Sequence, residues 1–345
     1  VTRPLRVLQS FPDPRPTTNP YVVLLARSLA STPGVEVATF SWKRALTWRY
    51  DVFHVHWPEI LAEGSTPLRA RLRRLLFLVL LLRLRATGTA LVRTAHNVRP
   101  HEAADPATRL LLALTDRWTT LVIRLNDETP VAAGTPVVTV PHGHYRDWFE
   151  ALPRTERDPR HLAFVGLVRP YKGVEELVRV FRGAGLDGAT LTVAGRPADA
   201  DLADRVRATA GGDRRVELRL AHLSDEDLVT EVSRSALVVL PYREMHNSGA
   251  ALMALSLDRP VLLPDNEVTG RLADEVGPEW VLRYPGPLDA GALESALRSA
   301  GSLPRDARPD LARRGWREAG SAHLAAYRDA VAVRRRRAVS PRASS

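Results

Sequence analysis

The sequence predicts an α/β protein built from two Rossmann-like, doubly wound parallel sheets facing a cleft between two domains. Three observations predict it. The 345 residues amount to about two domains at ~150 residues each. Short β-rich runs alternate with helical periods along the chain. That alternation lapses once, over Leu152 to Arg160, where prolines and charges show no apolar period. A hydrophobic share of 45%, a charged share of 26% and 26 scattered prolines exclude a disordered chain, a collagen-like repeat and a coiled coil. Zero cysteines exclude disulfides, cysteine nucleophiles and cysteine-ligated zinc, and fit a reducing compartment.

In order, strands are expected at Arg6 to Gln9, Val35 to Phe40, Val52 to Val55, Ala90 to Thr94, Thr120 to Ile123 and Val137 to Val140. Helices are expected between them at Tyr21 to Ala30, Pro67 to Arg85 and Ala107 to Arg117. After the lapse, strands at His161 to Val165, Thr190 to Val193, Val216 to Leu218, Leu237 to Leu240 and Val261 to Leu263 enclose helices at Gly173 to Arg182, Leu202 to Thr209, Asp225 to Ser233 and Gly249 to Leu257. The expected divisions are a first domain at 1–152, a second at 161–308, a terminal helix at 309–332 free to pack back on the first, and a disordered basic tail at 333–345. No charged-then-apolar leader precedes the first strand, so no secretory signal is expected.

Two loops of the second half carry anion-binding chemistry. Leu237 to Arg243 ends a buried strand. Tyr242, Arg243, His246, Asn247 and Ser248 then crowd one turn before Gly249 opens a helix, whose unpaired N–H groups and positive dipole end suit a phosphate. A plain turn capped by Ser248 is the simpler reading, and the crowding of polar side chains favours the anion site. The second loop, Arg169-Pro-Tyr-Lys172-Gly173, pairs an arginine fork with one of only two lysines in the chain, the other being Lys43.

In the first half, strands run into loops bearing His56 and Glu59, and His96, Asn97, His101 and Glu102, at the carboxyl edge where open α/β sheets bind ligands. His54 and His56 share one sheet face and read as structural rather than metal-binding. Glu59, His96 and Glu102 are the candidates for general-base chemistry. His142 and His144 lack a third ligand at zinc spacing and read as polar contacts, together with Tyr145. The acidic pairs Asp199/Asp201 and Asp225/Asp227 stand where helices start and read as caps rather than metal ligands. Neither GxGxxG nor GxxxxGK[ST] occurs.

The chain carries 49 Lys+Arg against 39 Asp+Glu, a net charge of +10. Leu75 to Leu82 is an uncharged apolar run of eight residues, ~12 Å as helix against a hydrocarbon core of ~30 Å, so it cannot span a bilayer. Arginines at 69, 71, 73, 74, 83 and 85 bracket it. Such a helix suits peripheral contact with anionic lipid through residues such as Leu76 and Leu80, and equally suits packing on a sheet.

The two-half organisation, the RPYKG loop (Arg169 to Gly173), the block from Leu240 to Val261 and the loop from Thr94 to Glu102 resemble GT-B nucleotide-sugar glycosyltransferases. More narrowly, Asn19 to Tyr21, Arg49 to Glu59, His142 to Phe149, Met245 to Gly249 and Ala273 to Trp280 resemble bacterial GDP-mannose:glycolipid β-1,4-mannosyltransferases of the xanthan pathway, glycosyltransferase family 94.

The resemblance implies GDP-mannose as donor, held in the C-terminal half by Arg169, Lys172, Tyr242, Arg243, His246, Asn247, Ser248 and Gly249. It implies a polyprenyl-diphosphate-linked oligosaccharide acceptor approached from the N-terminal half, near Asn19, Tyr21, His56, Asn97, His142, His144 and Tyr145. Transfer would invert C1 in one displacement without a metal or other cofactor, with Glu59 first and Glu102 second as base and His96 on the donor sugar or β-phosphate. The paired glutamates of retaining families would fall on Met245 and Met253, so the retaining signature is absent. The setting implied is exopolysaccharide assembly at the inner face of the cytoplasmic membrane. A different nucleotide sugar is the nearest alternative. A basic lipid- or nucleic-acid-binding protein is the alternative of another class, though the cations are too dispersed for a nucleic-acid face.

Overall fold

The computed structural model describes residues 3–15, 18–96, 105–243 and 245–339, the side chains of 337–339 excepted. The chain divides into two compact units: Val1–Gly143 with Arg314–Ser345, and His144–Arg313.

The first unit contains β1 (Leu5–Gln9), α1 (Pro20–Ser31), β2 (Val35–Ala38), α2 (Trp42–Thr47), β3 (Val52–Val55), α3 (Pro58–Ala62), α4 (Pro67–Thr87), β4 (Ala90–Ala95), α5 (Pro106–Trp118), β5 (Leu121–Arg124) and β6 (Val137–Thr139). All six strands are parallel, in the order β2-β1-β3-β4-β5-β6. Proline opens α1, α3, α4 and α5, where its missing N–H costs nothing. Phe77, Leu80, Leu81 and Leu84 of α4 bury against Leu8, Phe53 and Leu91 of the sheet. The apolar run from Leu75 to Leu82 is thus divided. Leu80, expected on a lipid-facing surface, is a core residue, whereas Leu75, Val79 and Leu82 are exposed.

The terminal helix α13 (Trp316–Val339) packs on α1 and against β3, β4 and β5. It begins seven residues later than the expected 309, after a 3-10 turn at Ala312–Arg314, and runs on through the arginines of 334–337. The disordered tail expected at 333–345 is therefore helical as far as Val339. Arginine is a good helix former, and a charge run by itself does not break a helix.

The second unit contains α6 (Arg146–Phe149), β7 (His161–Val165), a 3-10 turn (Pro170–Lys172), α7 (Val174–Gly183), β8 (Thr190–Ala194), α8 (Ala200–Ala210), β9 (Val216–Arg219), α9 (Asp225–Arg234), β10 (Leu237–Val239), α10 (Gly249–Ser256), β11 (Val261–Pro264), α11 (Glu267–Val276), β12 (Val281–Tyr284) and α12 (Ala290–Gly301). Its parallel sheet has the order β12-β11-β10-β7-β8-β9. Asp199 caps α8, and Ser224 with Asp227 forms the capping box of α9, so the acidic pairs do serve helix starts.

The segment 152–160, expected to link the domains, is strapped to the second unit. Thr155 N donates to Ser233 Oγ at 2.8 Å, Asp158 N to the Arg234 carbonyl at 2.8 Å, and Arg154 pairs with Asp258 at 2.7 Å. The division between units falls earlier, after Gly143. Composition marked an irregular segment correctly, but its arginines find partners that no local pattern reveals.

One buried hydrogen bond ties β7 to α9: His161 Nε2 lies 2.7 Å from Glu231 Oε1, with both side chains 1% exposed, and Arg219 reaches the other carboxylate oxygen at 3.3 Å. His161→Leu leaves one oxygen of a buried carboxylate without its partner and is expected to cost about 1 to 3 kcal/mol in urea denaturation, whereas the double replacement His161→Leu/Glu231→Leu recovers most of that loss.

Candidate active site

In the second sheet the strand order reverses between β7 and β10, and the loops leaving those two strands are the two anion-binding candidates. They are fastened together. Gly173 sits at φ 64°, a conformation suited to glycine, and a Cβ there would lie 2.3 Å from the Pro241 carbonyl oxygen. Arg243 N donates to the Tyr171 carbonyl at 2.9 Å. Lys172 Nζ consequently stands 4.8 Å from the centre of the Tyr242 ring. Burial, with Arg169 nearby, pushes the Lys172 pKa down to about 8. Arg169 is half-buried and donates to the Val168 carbonyl at 3.1 Å.

Beyond Pro241, Ser248 caps α10 by accepting from Ala251 N at 3.1 Å, so its side chain does serve the helix start. Asn266 Nδ2 holds the Met245 carbonyl at 3.0 Å. His246 is half-buried, and burial lowers its pKa. Arg243 is exposed, and Asn247 half-buried. Tyr145, expected near the acceptor, belongs to this unit: its N donates to Ser256 Oγ at 2.8 Å, and a Cβ on Gly249 would come within 3.2 Å of its hydroxyl. It therefore joins the residues at the start of α10. Its neighbour His144 accepts from Arg146 N at 3.3 Å.

The reversal in the first sheet lies between β1 and β3, and here the carboxyl edge is lined with imidazoles. His54 and His56 share one face, their ring centres 4.2 Å apart. His54 bridges the Tyr327 hydroxyl (2.8 Å) and Thr94 Oγ1 (2.7 Å). His56 Nε2 meets Gln9 Oε1 at 3.0 Å, and its Nδ1 meets His96 Nε2 at 3.1 Å. Trp57 stacks on His96 at 4.1 Å and 17°, and Tyr21 meets it edge-on at 5.2 Å.

His142 lies against Tyr21, ring centres 4.6 Å apart, and donates from Nδ1 to the Gly143 carbonyl at 2.8 Å. Asn19 is engaged as the cap of α1, accepting from Tyr21 N at 3.0 Å. Burial keeps the imidazoles neutral: it pushes His56 down to about 3, His142 and His323 to about 4, and His54 and His96 well below the usual range. Glu59 stands half-buried in the first turn of α3. Asn97 and Glu102 lie outside the described residues. Among the described residues, no group of three or more His, Asp or Glu has the arrangement of a metal site. Sequence reasoning missed Gln9 and the hydroxyl role of Tyr327. A polar residue closing the apolar run Val-Leu-Gln was the available signal for the first.

Two parallel six-stranded sheets, each reversing once and each presenting polar loops at its carboxyl edge, are the fold of the GT-B glycosyltransferases. Solved structures agree across almost the whole chain: AviGT4, a glycosyltransferase of avilamycin A biosynthesis (TM-score 0.56, 18% identity, covering 95% of this chain and 98% of that one), and HepE of Anabaena in complex with UDP and glucose (TM-score 0.59, 14% identity, covering 97% and 98%). No protein-family model matches the chain. The chain belongs to the GDP-mannose:glycolipid 4-β-D-mannosyltransferase family: it is 41% identical over 328 residues to a member from Xanthomonas campestris pv. campestris, covering 95% of this chain and 93% of that one. A second member, from another strain of the same pathovar, is 40% identical over the same length.

The contact between Gly173 and Pro241 yields a test. Gly173→Ala is expected to cost about 2 kcal/mol or more in urea denaturation, because it adds both a strained φ and a backbone clash. Gly183→Ala, at a helix end with open space around it, is expected to change stability by less than about 1 kcal/mol.

Proposed function

We propose that the protein moves mannose from GDP-mannose to a lipid-linked oligosaccharide with inversion at C1, and that it does so without a divalent metal. The observation that carries this reading is the meeting of Arg169, Lys172 and the α10 start at the reversal of the second sheet, in a chain 41% identical to a transferase named for that donor and a glycolipid acceptor. The acceptor hydroxyl attacks mannose C1, the bond from C1 to the diphosphate oxygen breaks, and GDP departs with the electron pair. The hydroxyl proton passes to a base. Negative charge grows on the departing diphosphate, where a lysine ammonium, an arginine fork and helix N–H groups stabilise it in place of a metal. His96 and Glu59 are the described residues offered for the base, both at the carboxyl edge of the first sheet.

The acceptor's lipid leaves a second mark. Leu68, Leu72, Leu75, Val79 and Leu82 recur at alternating steps of four and three along α4 and are between 43% and 76% exposed, so one stripe of the helix is apolar and faces outward. Arg69, Arg71 and Arg73 flank it, and no helix among the described residues is long and apolar enough to cross a membrane. In this reading the stripe rests on the inner leaflet of the cytoplasmic membrane beside anionic headgroups.

Two experiments test the reading. Affinity for GDP-mannose, whose diphosphate diester keeps its charge over the range, is expected to be full below pH 8 and to fall as Lys172 deprotonates, reaching a loss of ~10-fold one unit above its pKa of about 8. Lys172→Arg abolishes that pH dependence in calorimetric titration, and a flat profile in the unsubstituted protein removes Lys172 from the diphosphate. For the membrane face, Leu72→Ser/Leu75→Ser/Val79→Ser is expected to weaken co-sedimentation with phosphatidylglycerol vesicles by ~100-fold or more while leaving thermal unfolding within about 2 °C. Undiminished vesicle binding would move the contact elsewhere.

A further inference from the structure

Lys172 is a half-buried ammonium without a counter-ion. Among the described residues no carboxylate pairs with it or with Arg169, and the charge that acts on Lys172 is that of Arg169, which repels it. Its surroundings are instead bare backbone and an aromatic face. A Cβ on Gly166 would lie 3.7 Å from Lys172 Nζ, and Nζ stands over the Tyr242 ring, 4.8 Å from its centre. The tyrosines nearby supply no negative charge, since burial raises the pKa of both Tyr171 and Tyr242.

The backbone of two loops fixes the ring under the lysine. Tyr242 N donates to the Leu240 carbonyl at 2.9 Å, and the next residue, Arg243, donates its N–H to the Tyr171 carbonyl at 2.9 Å, so the residue before Lys172 and the residue after Tyr242 are held in register. Tyr242 is 6% exposed and meets Phe164 and Tyr171 in edge-on contacts, with ring centres 6.5 Å and 6.3 Å away. An aromatic face attracts a cation through its quadrupole yet carries no net charge. A carboxylate in the same place would hold the ammonium more strongly, but it would also cancel the charge before an anion arrived.

We propose that Tyr242 is a positioning residue whose ring holds the Lys172 ammonium in place of a carboxylate, so that the full positive charge stays available to an incoming diphosphate. The proposal rests on the transferase reading above for the identity of that anion, whereas the hold of the ring on the lysine does not depend on it. Lys172 and Arg169 then present two cations at the reversal of the second sheet, and the diphosphate supplies the negative charge that the protein itself withholds.

The test uses the fact that the chain has only two lysines. Protein labelled with 13Cε-lysine gives two ε-methylene signals, Lys172→Arg identifies one of them, and Lys43 on α2 serves as an internal reference. In the unsubstituted protein the Lys172 signal is expected to be displaced upfield by the ring and to titrate at about pH 8. In Tyr242→Leu the displacement is lost and the midpoint falls by about one pH unit, while the Lys43 signal stays where it was; Tyr242→Phe, which keeps the aromatic face, restores both. At pH 8 the Leu variant then binds GDP-mannose about 5-fold more weakly than the Phe variant in calorimetric titration, because the protonated fraction of Lys172 falls from about a half to about a tenth. Should Tyr242→Leu not fold, Tyr242→Met removes the aromatic face while keeping an apolar side chain and is expected to give the same two changes. A Lys172 signal with no ring displacement in the unsubstituted protein overturns the proposal, as does a folded Leu or Met variant with displacement and midpoint unchanged. Failure of the unsubstituted protein to bind GDP-mannose overturns the donor reading instead, since the lysine spectrum needs no ligand.

Discussion

Each sheet reverses its strand order once, and the rest of the functional architecture depends on that reversal. Crossovers between parallel strands are right-handed, so consecutive helices fall on one face until the order turns back, and the helices leaving the two strands at the turning point go to opposite faces. A gap opens between their loops at the carboxyl edge. In the second unit the gap lies between β7 and β10 and receives Lys172 and the start of α10. In the first it lies between β1 and β3, where Gln9 and His56 meet.

Burial has opposite chemical consequences at these two edges. Around Lys172 it brings the pKa of an ammonium down to about 8, so the group stays mostly charged at neutral pH. Around His54, His56 and His96 it removes charge altogether, and the rings act through donor and acceptor roles fixed by neighbours. The same low-dielectric surroundings thus yield a cationic edge on one sheet and a neutral, hydrogen-bonding edge on the other. Side-chain chemistry decides which.

Much of the architecture was legible in the sequence, because buried parallel strands are short apolar runs and the helices between them carry clear periods. The limits were physical. α12 is built largely of alanine, glycine and serine, with Leu293 and Leu297 its only large buried side chains, and the arginines of 334–337 hid the last turns of α13 behind a charge run. The polar stretch at 152–160 resembled a linker because its partners, Ser233, Arg234 and Asp258, lie 75 or more residues away. The candidate site divided in the same way. Loops whose chemistry is contiguous, such as Arg169 to Gly173, could be read directly. Tyr145 could not be assigned to α10, nor Gln9 to Tyr327, because only folding brings them together.

The bond between Gln9 and Tyr327 closes across 318 positions. The first unit therefore cannot finish folding before the second has been made: its sheet can form early, but the helix that covers α1 and completes the imidazole chain is synthesised after the whole of the second unit. The second unit is continuous in sequence and has no such wait. Maturation is thus ordered, with the second unit able to close during synthesis and the first closing only after α13 emerges, so contact order makes assembly of the imidazole edge the late step.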